Sequence, residues 1–573
     1  MYKSKYFLTA VLLFVTYILA AQTQQPEYTI TGIVYDEFNE PMPSATVYVK
    51  NTTQGTLSDM EGKFSIKVRR GSTLSISFVG YETYELFIDK AYTDLVVSLK
   101  SGSQLEELVV TGLGTQRKIS TVGAVSTIET KDLQVPATSM SNILGGRVTG
   151  IINMQTSGEP GKNISEFWVR GIGTFGANQS ALVLIDGLEG DLNSIDPADV
   201  ESFSVLKDAS ATAVYGVRGA NGVVLVTTKR GKEGHLRITA RANATISRLT
   251  KMPDYVGAYD YARLINEAQS VRGTAPMYSQ RDLDVIQYGL DPDLFPDVNW
   301  QKEIMRDFGF QQNYYVSGQG GGEIARYFVS LNMSNENAAY KMDEDSPYRS
   351  GVGYNTYRYR ANLDIKLTST TNMYFGTDGY LTLRKQPGVA NTDYIWNAQS
   401  QLTPVLIPLE YSTGHIPAYG PNDAYSPYVM LNHTGISSNQ SYTGKVTLAL
   451  VQDLDILLKG LKLRMQAAYD NKSYFDERRS VLPEMYWASG RNVNGELLLA
   501  KRVNAETASY TYSQRQYRKY HFETTLTYEK RIKDIHRFSG LVYYYMSDSK
   551  DTKDIADSGY GVNMSMAAIP KRY

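Results

Sequence analysis

The sequence contains no cysteine, although it begins with a segment typical of exported proteins. Lys3 and Lys5 precede an apolar run and two small residues, Ala20 and Ala21, so we predict a signal peptide over residues 1–21. An exported chain without cysteine has no disulfide bonds, even in a compartment that permits them. Its stability must therefore come from packing and from hydrogen-bonded sheets.

The sequence also lacks an excess of either charge, because 58 Lys and Arg residues face 59 Asp and Glu residues. This balance argues against nucleic acid as a partner. The five His residues are scattered without ligand spacing, so we predict no metal site, no cofactor and no catalytic residues. A Gly-x-Gly-x-x-Gly pattern at residues 171–176 precedes a strand instead of a helix, which argues against a dinucleotide site. We expect a protein that is not an enzyme.

Long apolar runs are missing after the N-terminal segment, so the sequence predicts no spanning helix there. Tyrosine is abundant instead, with 44 Tyr against 17 Phe and 4 Trp. Tyrosine suits strands and suits membrane boundaries, where one end of the ring is apolar and the other is wet. If this chain enters a membrane, we expect it to do so as strands. Its 573 residues should form several cores.

Residues 27–100 read as short strands separated by Gly, Pro and Asn, which predicts a small β-sandwich. The sequence of residues 32–36, 43–47 and 55–64 resembles the carboxypeptidase regulatory-like domain. The resemblance implies no peptidase chemistry.

Residues 101–117 form a polar linker that encloses an acidic pair followed by β-branched residues. Such a segment suits an extended conformation that adds a strand to the sheet edge of a partner. It resembles a TonB box, and a plain linker strand is the alternative. The residues predicted to bind the partner are Leu105, Glu106, Glu107, Leu108, Val109, Val110 and Thr111.

Residues 118–234 read as a compact α/β unit, in which Asp196 and Pro197 predict the start of a helix. Several long motifs in this unit resemble the plug of SusC/RagA-type TonB-dependent receptors. The resemblance implies a structural signature of Arg170, Gly171, Gly173, Asp186, Gly187, Lys207, Asp208, Tyr215, Gly216, Arg218, Gly219, Asn221 and Gly222.

Residues 235–573 alternate apolar and polar side chains with the period of a strand. Tyr357 and Tyr359 share one face, for example, while Arg358 and Arg360 share the other. Short turns and long polar loops alternate between the segments, as in outer-membrane barrels. A soluble antiparallel sandwich would share the alternation and is the alternative. The predicted strands lie near residues 235–247, 311–319, 325–334, 357–368, 371–384, 439–453, 460–475, 507–530 and 535–547.

The predicted fold class is thus mainly β: a β-sandwich, an α/β plug and antiparallel transmembrane β-barrel strands. About nine strands is an odd number, whereas bacterial barrels have an even number. The family resemblance implies roughly 22 strands, within the observed range. We therefore expect an incomplete barrel, from a truncated gene product or an incomplete sequence.

The resemblance implies an outer-membrane nutrient importer whose plug and front domain lie on the periplasmic side. Its expected partners are TonB, a SusD-like surface lipoprotein, outer-membrane lipid and an oligosaccharide or peptide ligand. The sequence does not identify the residues that contact this ligand. A surface-binding remnant that does not transport, or a secreted enzyme with an accessory β-sandwich, are the alternatives.

Overall fold

In the computed structural model of the chain, strands are the dominant elements. The structure describes residues 27–36, 40–50, 52, 54–78, 81, 83–99, 108–111, 114–117, 125–128, 130–135, 137, 139–171, 180–250, 252–343, 346, 351–420, 424–532, 536–551 and 563–571.

The front domain is a sandwich of two sheets, as predicted. One sheet has the strand order β4-β1-β7 and the other has the order β3-β2-β5-β6. Strands β1 and β7 pair in parallel, whereas β1 and β4 pair antiparallel. The strands are β1 (Glu27–Tyr35), β2 (Thr46–Val49), β3 (Gly55–Leu57), β4 (Lys63–Arg69), β5 (Thr73–Ser77), β6 (Tyr84–Phe87) and β7 (Leu95–Ser98).

Alternation along β4 shows how the sequence builds this core. Phe64, Ile66 and Val68 are buried, while the residues between them are exposed. The buried residues pack against apolar side chains of the other sheet, including Leu74 and Ile76. The front domain therefore buries its apolar face and exposes its polar one.

A short hairpin, β8 (Leu108–Thr111) and β9 (Gly114–Arg117), precedes the plug. The plug has a five-stranded sheet of order β10-β15-β16-β13-β14 and a separate β11-β12 pair. Its elements are β10 (Val125–Ile128), α1 (Thr130–Leu133), α2 (Met140–Leu144), β11 (Ile151–Met154), β12 (Glu166–Val169), β13 (Leu182–Ile185), β14 (Leu188–Glu189), 3-10 turns at Leu192–Ser194 and Pro197–Asp199, β15 (Val200–Leu206), α3 (Ala209–Thr212), a 3-10 segment at Ala213–Gly219 and β16 (Val223–Thr228).

The predicted helix in the plug begins at the expected cap, but it is only one turn long. The Asp196 side chain accepts a hydrogen bond from the Ala198 amide, and Pro197 follows at the first helical position. Only one 3-10 turn forms, because the next residues enter β15. That strand is Val-Glu-Ser-Phe-Ser-Val-Leu, and its buried Phe203 and Val205 belong to the plug core.

A large antiparallel sheet follows, and the plug lies in the same compact unit as this sheet. The remaining strands are β17 (Gly234–Arg248), β18 (Phe308–Gly321), β19 (Ala325–Asn337), β20 (Gly353–Lys366), β21 (Thr371–Pro387), β22 (Ile416–Tyr419), β23 (Ala424–Tyr425), β24 (Gly435–Asp453), β25 (Leu461–Leu482), β26 (Met485–Arg491), β27 (Leu497–Val503), β28 (Glu506–Ile532), β29 (His536–Asp551) and β30 (Asn563–Lys571).

The large sheet has the order β17-β18-β19-β20-β21-β24-β25-β28-β29-β30. All nine predicted strands are present. The sheet also has a tenth strand, β30, which pairs antiparallel with β29. The described sheet therefore has ten strands, one more than the roughly nine that the sequence predicts.

Two of the connections predicted as polar loops contain helices. These are α4 (Ala258–Val271), α5 (Gln280–Tyr288) and α6 (Trp300–Ile304) between β17 and β18, and α7 (Asp393–Gln401) and α8 (Pro427–Asn432) between β21 and β24. Short strands from two long connections form a further sheet of order β23-β22-β26-β27. The long connections are thus folded structures with cores of their own.

No helix among the described residues is both long enough and apolar enough to cross a membrane.

The two faces of the large sheet have the opposite character from those of a water-soluble protein. Val329 and Leu331 of β19 are 45% and 55% exposed, whereas Ser330 and Asn332 between them are 3% and 5% exposed. Apolar side chains therefore point outward, and polar side chains point inward toward the plug. This arrangement is that of strands in a transmembrane barrel.

Candidate functional site

The inner face of the sheet carries arginine side chains in contact with the plug. Arg358 and Arg360 of β20 are buried, and Arg241 of β17 is half-buried. A guanidinium group stays charged, so a buried one requires acceptors close by. Some acceptors lie on the sheet itself, such as Asp378 and Asn332, and the others come from the plug.

Three plug carboxylates face these arginines. Asp186 lies in the β13–β14 turn, where its side chain accepts hydrogen bonds from the Thr228 amide at 2.9 Å and the Thr228 hydroxyl at 2.6 Å. Asp196 and Asp199 lie at the two ends of the 3-10 turn that precedes β15. Both are almost completely buried. Local capping and turn geometry therefore position the three acids at the surface of the plug.

The acids and arginines form one cluster of ion pairs. Arg360 has Asp199 at 3.7 Å and Asp186 at 4.0 Å, and the Arg241 guanidinium is 3.2 Å from Asp196. The cluster also includes Asp378 of β21, 3.5 Å from Arg360. We name these six residues the acid–arginine cluster: Asp186, Asp196, Asp199, Arg241, Arg360 and Asp378.

Asp199 has the most perturbed environment among the plug acids of this cluster. Burial raises the pKa of Asp199 to about 6, while Arg360 opposes the rise and Asp196 adds to it. The Tyr315 hydroxyl donates a hydrogen bond of 2.8 Å to the same carboxylate. This carboxyl group therefore changes its charge close to neutral pH.

Side chains on the inner face of the large sheet, which we call the wall, also bind backbone carbonyl groups of the plug. Arg358 donates two hydrogen bonds to the Asn193 carbonyl, at 3.0 and 3.2 Å. The Asn362 amide donates to the Lys229 carbonyl at 2.7 Å and to the Thr228 hydroxyl at 3.1 Å. The contact between plug and wall is thus largely polar, and water could replace each of these bonds.

A second network joins the plug to a long connection. Glu159 is buried in a Gly-Glu-Pro-Gly turn and accepts hydrogen bonds from Arg384 at 2.6 Å, from Thr392 at 2.7 Å and from the Tyr340 hydroxyl at 3.2 Å. Trp396 in α7 donates its indole N–H to the same hydroxyl at 2.9 Å. One carboxylate therefore touches three different parts of the sheet and its connections.

Lys162, in the same plug segment, extends this network to the start of α7. Its ammonium group donates to Asn391 at 2.7 Å, Thr392 at 2.8 Å and Asp393 at 2.7 Å. The hydrogen bond from Lys162 lowers the pKa of Asp393. Any displacement of α7 must break these bonds or move the plug. We name this set the apex network: Glu159, Lys162, Tyr340, Arg384, Thr392 and Trp396.

A third polar contact lies at the β13–β14 hairpin. The Glu189 carboxylate accepts a hydrogen bond from Lys519 at 2.9 Å and has Arg218 at 3.7 Å, and the Glu189 carbonyl accepts one from Lys445 at 2.9 Å. Burial opposes ionisation here, yet the cations hold the pKa of Glu189 below its ordinary value. The plug is therefore bound to β24 and β28 as well.

Asp291 and Asp293, in the connection between β17 and β18, are both ion-paired. Arg491 of the β26–β27 hairpin donates two hydrogen bonds of 2.8 Å to Asp291 and one of 2.7 Å to Asp293. Asp293 also accepts from the Ser412 amide and hydroxyl, both at 2.7 Å. Three long connections are thus joined at the Asp293 carboxylate.

The structure brings together three of the predicted signature residues. The Arg170 guanidinium binds the Asp208 carboxylate, and the Lys207 ammonium binds the Thr149 carbonyl and the Ser126 hydroxyl. Burial and the nearby Arg170 lower the pKa of Lys207. These bonds tie the β12 and β15 ends together inside the plug.

The signature glycines lie at turns and close approaches. Gly216 and Gly222 have φ of +56° and +89°, and a Cβ on Gly222 would lie 2.7 Å from Val169. Turns of the plug also contain Gly171 and Gly187, and the 3-10 segment ends at Gly219. In the same segment, Tyr215 packs on the plug core and Arg218 lies 3.7 Å from Glu189. Asn221 lies in the turn before β16. Gly173 lies outside the described residues.

The TonB-box-like segment is described only in part. Leu108, Val109, Val110 and Thr111 form β8, which pairs with β9, whereas Leu105, Glu106 and Glu107 lie outside the described residues. Among the residues that the structure describes, β8 pairs with β9 alone, so its other edge is one that a further strand could join.

Sequence reasoning missed the apex network. The signal in the sequence was Gly-Glu-Pro-Gly, in which an acidic residue lies within a predicted turn. The structure has Gly161 of this turn at φ +79°. Its partners Tyr340 and Arg384 are distant in sequence, so no local pattern identifies them.

Two family models match the chain. Residues 117–223 match the TonB-dependent receptor plug domain, and residues 30–110 match the CarboxypepD_reg-like domain. TonB-dependent receptors are outer-membrane proteins and not enzymes, so the relatives argue against the secreted enzyme considered from the sequence.

Full-length relatives and solved structures give the same result. The chain is 32% identical over 368 residues to TonB-dependent receptor P26 of Formosa agariphila, covering 63% of this chain and 35% of the relative. It is 29% identical over 368 residues to TonB-dependent receptor SusC of Bacteroides thetaiotaomicron, covering 61% and 35%. A structure of the RagAB peptide importer in the open-open state has the same fold, at a TM-score of 0.57 and 21% identity, over 81% of this chain and 53% of that chain. The chain spans about a third of the length of the curated relatives it matches.

Proposed function

Because this chain carries the plug, the front domain and the antiparallel sheet of a SusC/RagA-like TonB-dependent receptor, we propose that it serves nutrient import across the outer membrane. The ligand is an oligosaccharide or a peptide. TonB supplies the energy, and a SusD-like lipoprotein binds the long connections. We further propose that the plug and the front domain lie on the periplasmic side. The proposed parts of the chain are a signal peptide (residues 1–21), the front domain (27–100), a linker (101–117), the plug (118–234) and the barrel strands (235–573).

The polar contact between plug and wall is the observation that carries this proposal. A plug held by an apolar interface would expose that interface to water on opening, which costs free energy in proportion to its area. Here the acid–arginine cluster and the carbonyl contacts exchange protein partners for water instead. Such a plug opens at lower cost while the outer face of the sheet stays in lipid.

The free edge of β8 supports TonB as the partner that opens the plug. The partner would add a strand to Leu108–Thr111, and the main-chain bonds would transmit force to the plug that follows.

The test is capture of the purified chain by the periplasmic end of TonB. Val109→Pro removes a strand N–H and should weaken capture at least tenfold, because proline does not complete the ladder. Ser103→Pro, in the same linker but ahead of the predicted box, is the matched control and should bind as the wild type does. Gln116→Pro disrupts β9 but leaves β8 unchanged. It therefore shows whether weaker capture results from loss of the β8–β9 hairpin or from loss of pairing between β8 and TonB. Equal capture of the Val109→Pro and Ser103→Pro forms would contradict the assignment.

A further inference from the structure

A cavity of about 500 Å³, lined by both polar and apolar side chains, lies between the β17–β18 and β19–β20 connections. Its polar lining consists of Gln301, Lys302, Arg306, Asp307 and Lys341. None of the plug contacts described above involves these five side chains.

The charge of the cavity is unbalanced. Three of the lining side chains are cationic and only Asp307 is anionic, which leaves a net charge of about +2. Within the part of the chain that the structure describes, Lys302, Arg306 and Lys341 form no ion pair with a carboxylate. An anion that enters the cavity is attracted by all three cations.

An unpaired donor lines the same cavity. Gln301 is 6% exposed, and its amide nitrogen has no hydrogen-bond partner among the described residues. A buried donor without an acceptor is unfavourable, and it is a feature of sites that a ligand completes. Rotation of this side chain toward the cavity would let an oxygen of a bound anion supply the missing acceptor.

Backbone hydrogen bonds hold the cations in place across two connections. The Arg306 amide donates to the Ala339 carbonyl at 2.7 Å, and the Lys341 amide donates to the Ile304 carbonyl at 2.8 Å. Met305 and Tyr340 form the β-bridge between these two bonds. The Lys341 ammonium also donates to the Lys302 carbonyl. The site is therefore assembled before any ligand arrives.

We propose that this cavity binds an oxyanion on the imported ligand, either a carboxylate or a sulfate ester. The proposal names the ligand class for the proposed import function and rests on it. Binding itself requires neither TonB nor transport, so the two ideas fail separately.

The position of the cavity connects it to the plug. Tyr340 pairs with Met305 at the cavity and donates its hydroxyl to Glu159 of the plug. An anion that draws Arg306 and Lys341 together therefore acts on the segment that carries Tyr340, a member of the apex network.

The experiment measures binding to the purified full chain in detergent by isothermal titration calorimetry. The probes are galactose 6-sulfate, galacturonate and galactose, which share a ring and differ in charge. We expect the two anions to bind and galactose to bind at least tenfold more weakly. The ratio between the two anions distinguishes a sulfate ester from a carboxylate. Raising the salt concentration to 0.5 M should weaken anion binding.

The variants test whether this cavity is the site. Arg306→Gln combined with Lys341→Gln should weaken binding of the preferred anion at least tenfold, and Lys302→Gln alone at least threefold. Arg281→Gln, an exposed arginine on α5 outside the cavity, is the matched control and should change binding less than twofold. Thermal unfolding confirms that each variant is folded. If the double variant is not folded, the Lys302→Gln variant provides the test. Absence of anion binding, equal binding of all three sugars, or equal losses in the Lys302→Gln and Arg281→Gln forms would each overturn the proposal.

Discussion

The front domain and the large sheet use the same period-two alternation with opposite sidedness. In β4, the apolar residues Phe64, Ile66 and Val68 are buried between two sheets. In β19, the apolar residues Val329 and Leu331 are exposed, and the polar residues between them are buried. Alternation therefore fixes a strand with two different faces, and what lies against each face decides which one is called the core.

The front domain follows the rule for a protein in water, and its core should respond accordingly. Leu74 is completely buried, so Leu74→Ala should destabilise the front domain by about 2–5 kcal/mol through lost transfer free energy and a residual cavity. Hydrogen exchange of the β4 and β5 amides in the full chain measures the loss. Leu57→Ala, at an exposed leucine of the same domain, should change exchange little. Equal effects of the two substitutions would contradict the conclusion that the front domain has its apolar core between its two sheets.

The large sheet should show the reverse sensitivity to a charge on its exposed face. Leu331 and Leu264 are both about half exposed, but Leu331 lies on the outer face of β19 and Leu264 lies on α4 in a long connection. Leu331→Arg should cost about 2–4 kcal/mol in a bilayer, because a guanidinium on the lipid face must leave water. Urea unfolding from lipid vesicles measures it, with Leu264→Arg as the matched control. In a water-soluble protein the two variants would behave alike.

The buried face of the sheet predicts a pH effect through Asp199. Its pKa in the native state is raised to about 6, so between about pH 6 and pH 4 the native state binds more protons than the unfolded state. The contribution of this group to plug stability therefore increases as the pH falls through that range. Plug resistance to limited proteolysis, compared at pH 7 and pH 5, should show this increase. Asp199→Asn should remove it, and a variant with the wild-type increase would contradict the assignment.

The long connections should respond to acid in the opposite direction. The Arg491 hydrogen bond lowers the pKa of Asp291, and the pKa of Asp293 is lowered against the effect of burial by Ser412 and Arg491. A lowered pKa gives stability that is complete above the ordinary value of about 3.9 and is lost as the pH falls through the native value.

Hydrogen exchange of the β26–β27 hairpin at pH 6 and pH 3 measures this contribution. Arg491→Gln should increase exchange at pH 6 and reduce the difference between the two pH values. Arg272→Gln, at the end of α4, is the control. An unchanged difference in the Arg491→Gln form would show that the acids act through other partners.

The sequence predicted the strands that have two distinct faces and missed those that do not. Strand β30 has the sequence Asn-Met-Ser-Met-Ala-Ala-Ile-Pro-Lys, in which Ala567 and Ala568 are adjacent and Pro570 lacks a ladder N–H, so no clean alternation identifies it. The loop helices were missed although α5 begins with a capping box at Ser279 and Asp282. Their polar composition suggested a loop.

The candidate site could be predicted only where its geometry is local. The turn at Asp186 and the cap at Asp196 are visible in short stretches of sequence. That Asp199 would face Arg360 depends on how the plug sits against the wall, and no periodicity contains that information. The polar inner face was predicted from Arg358 and Arg360, but not the groups that they bind.

Trp396 gives the plug an intrinsic optical reporter. The chain has only four tryptophans, and this one is hydrogen-bonded to the hydroxyl that binds Glu159. Indole emission depends on the polarity around the ring and on its N–H partner, so withdrawal of Glu159 from Tyr340 would alter fluorescence without an added dye. Movement of the plug segment that carries Glu159 can thus be followed in real time from this ring.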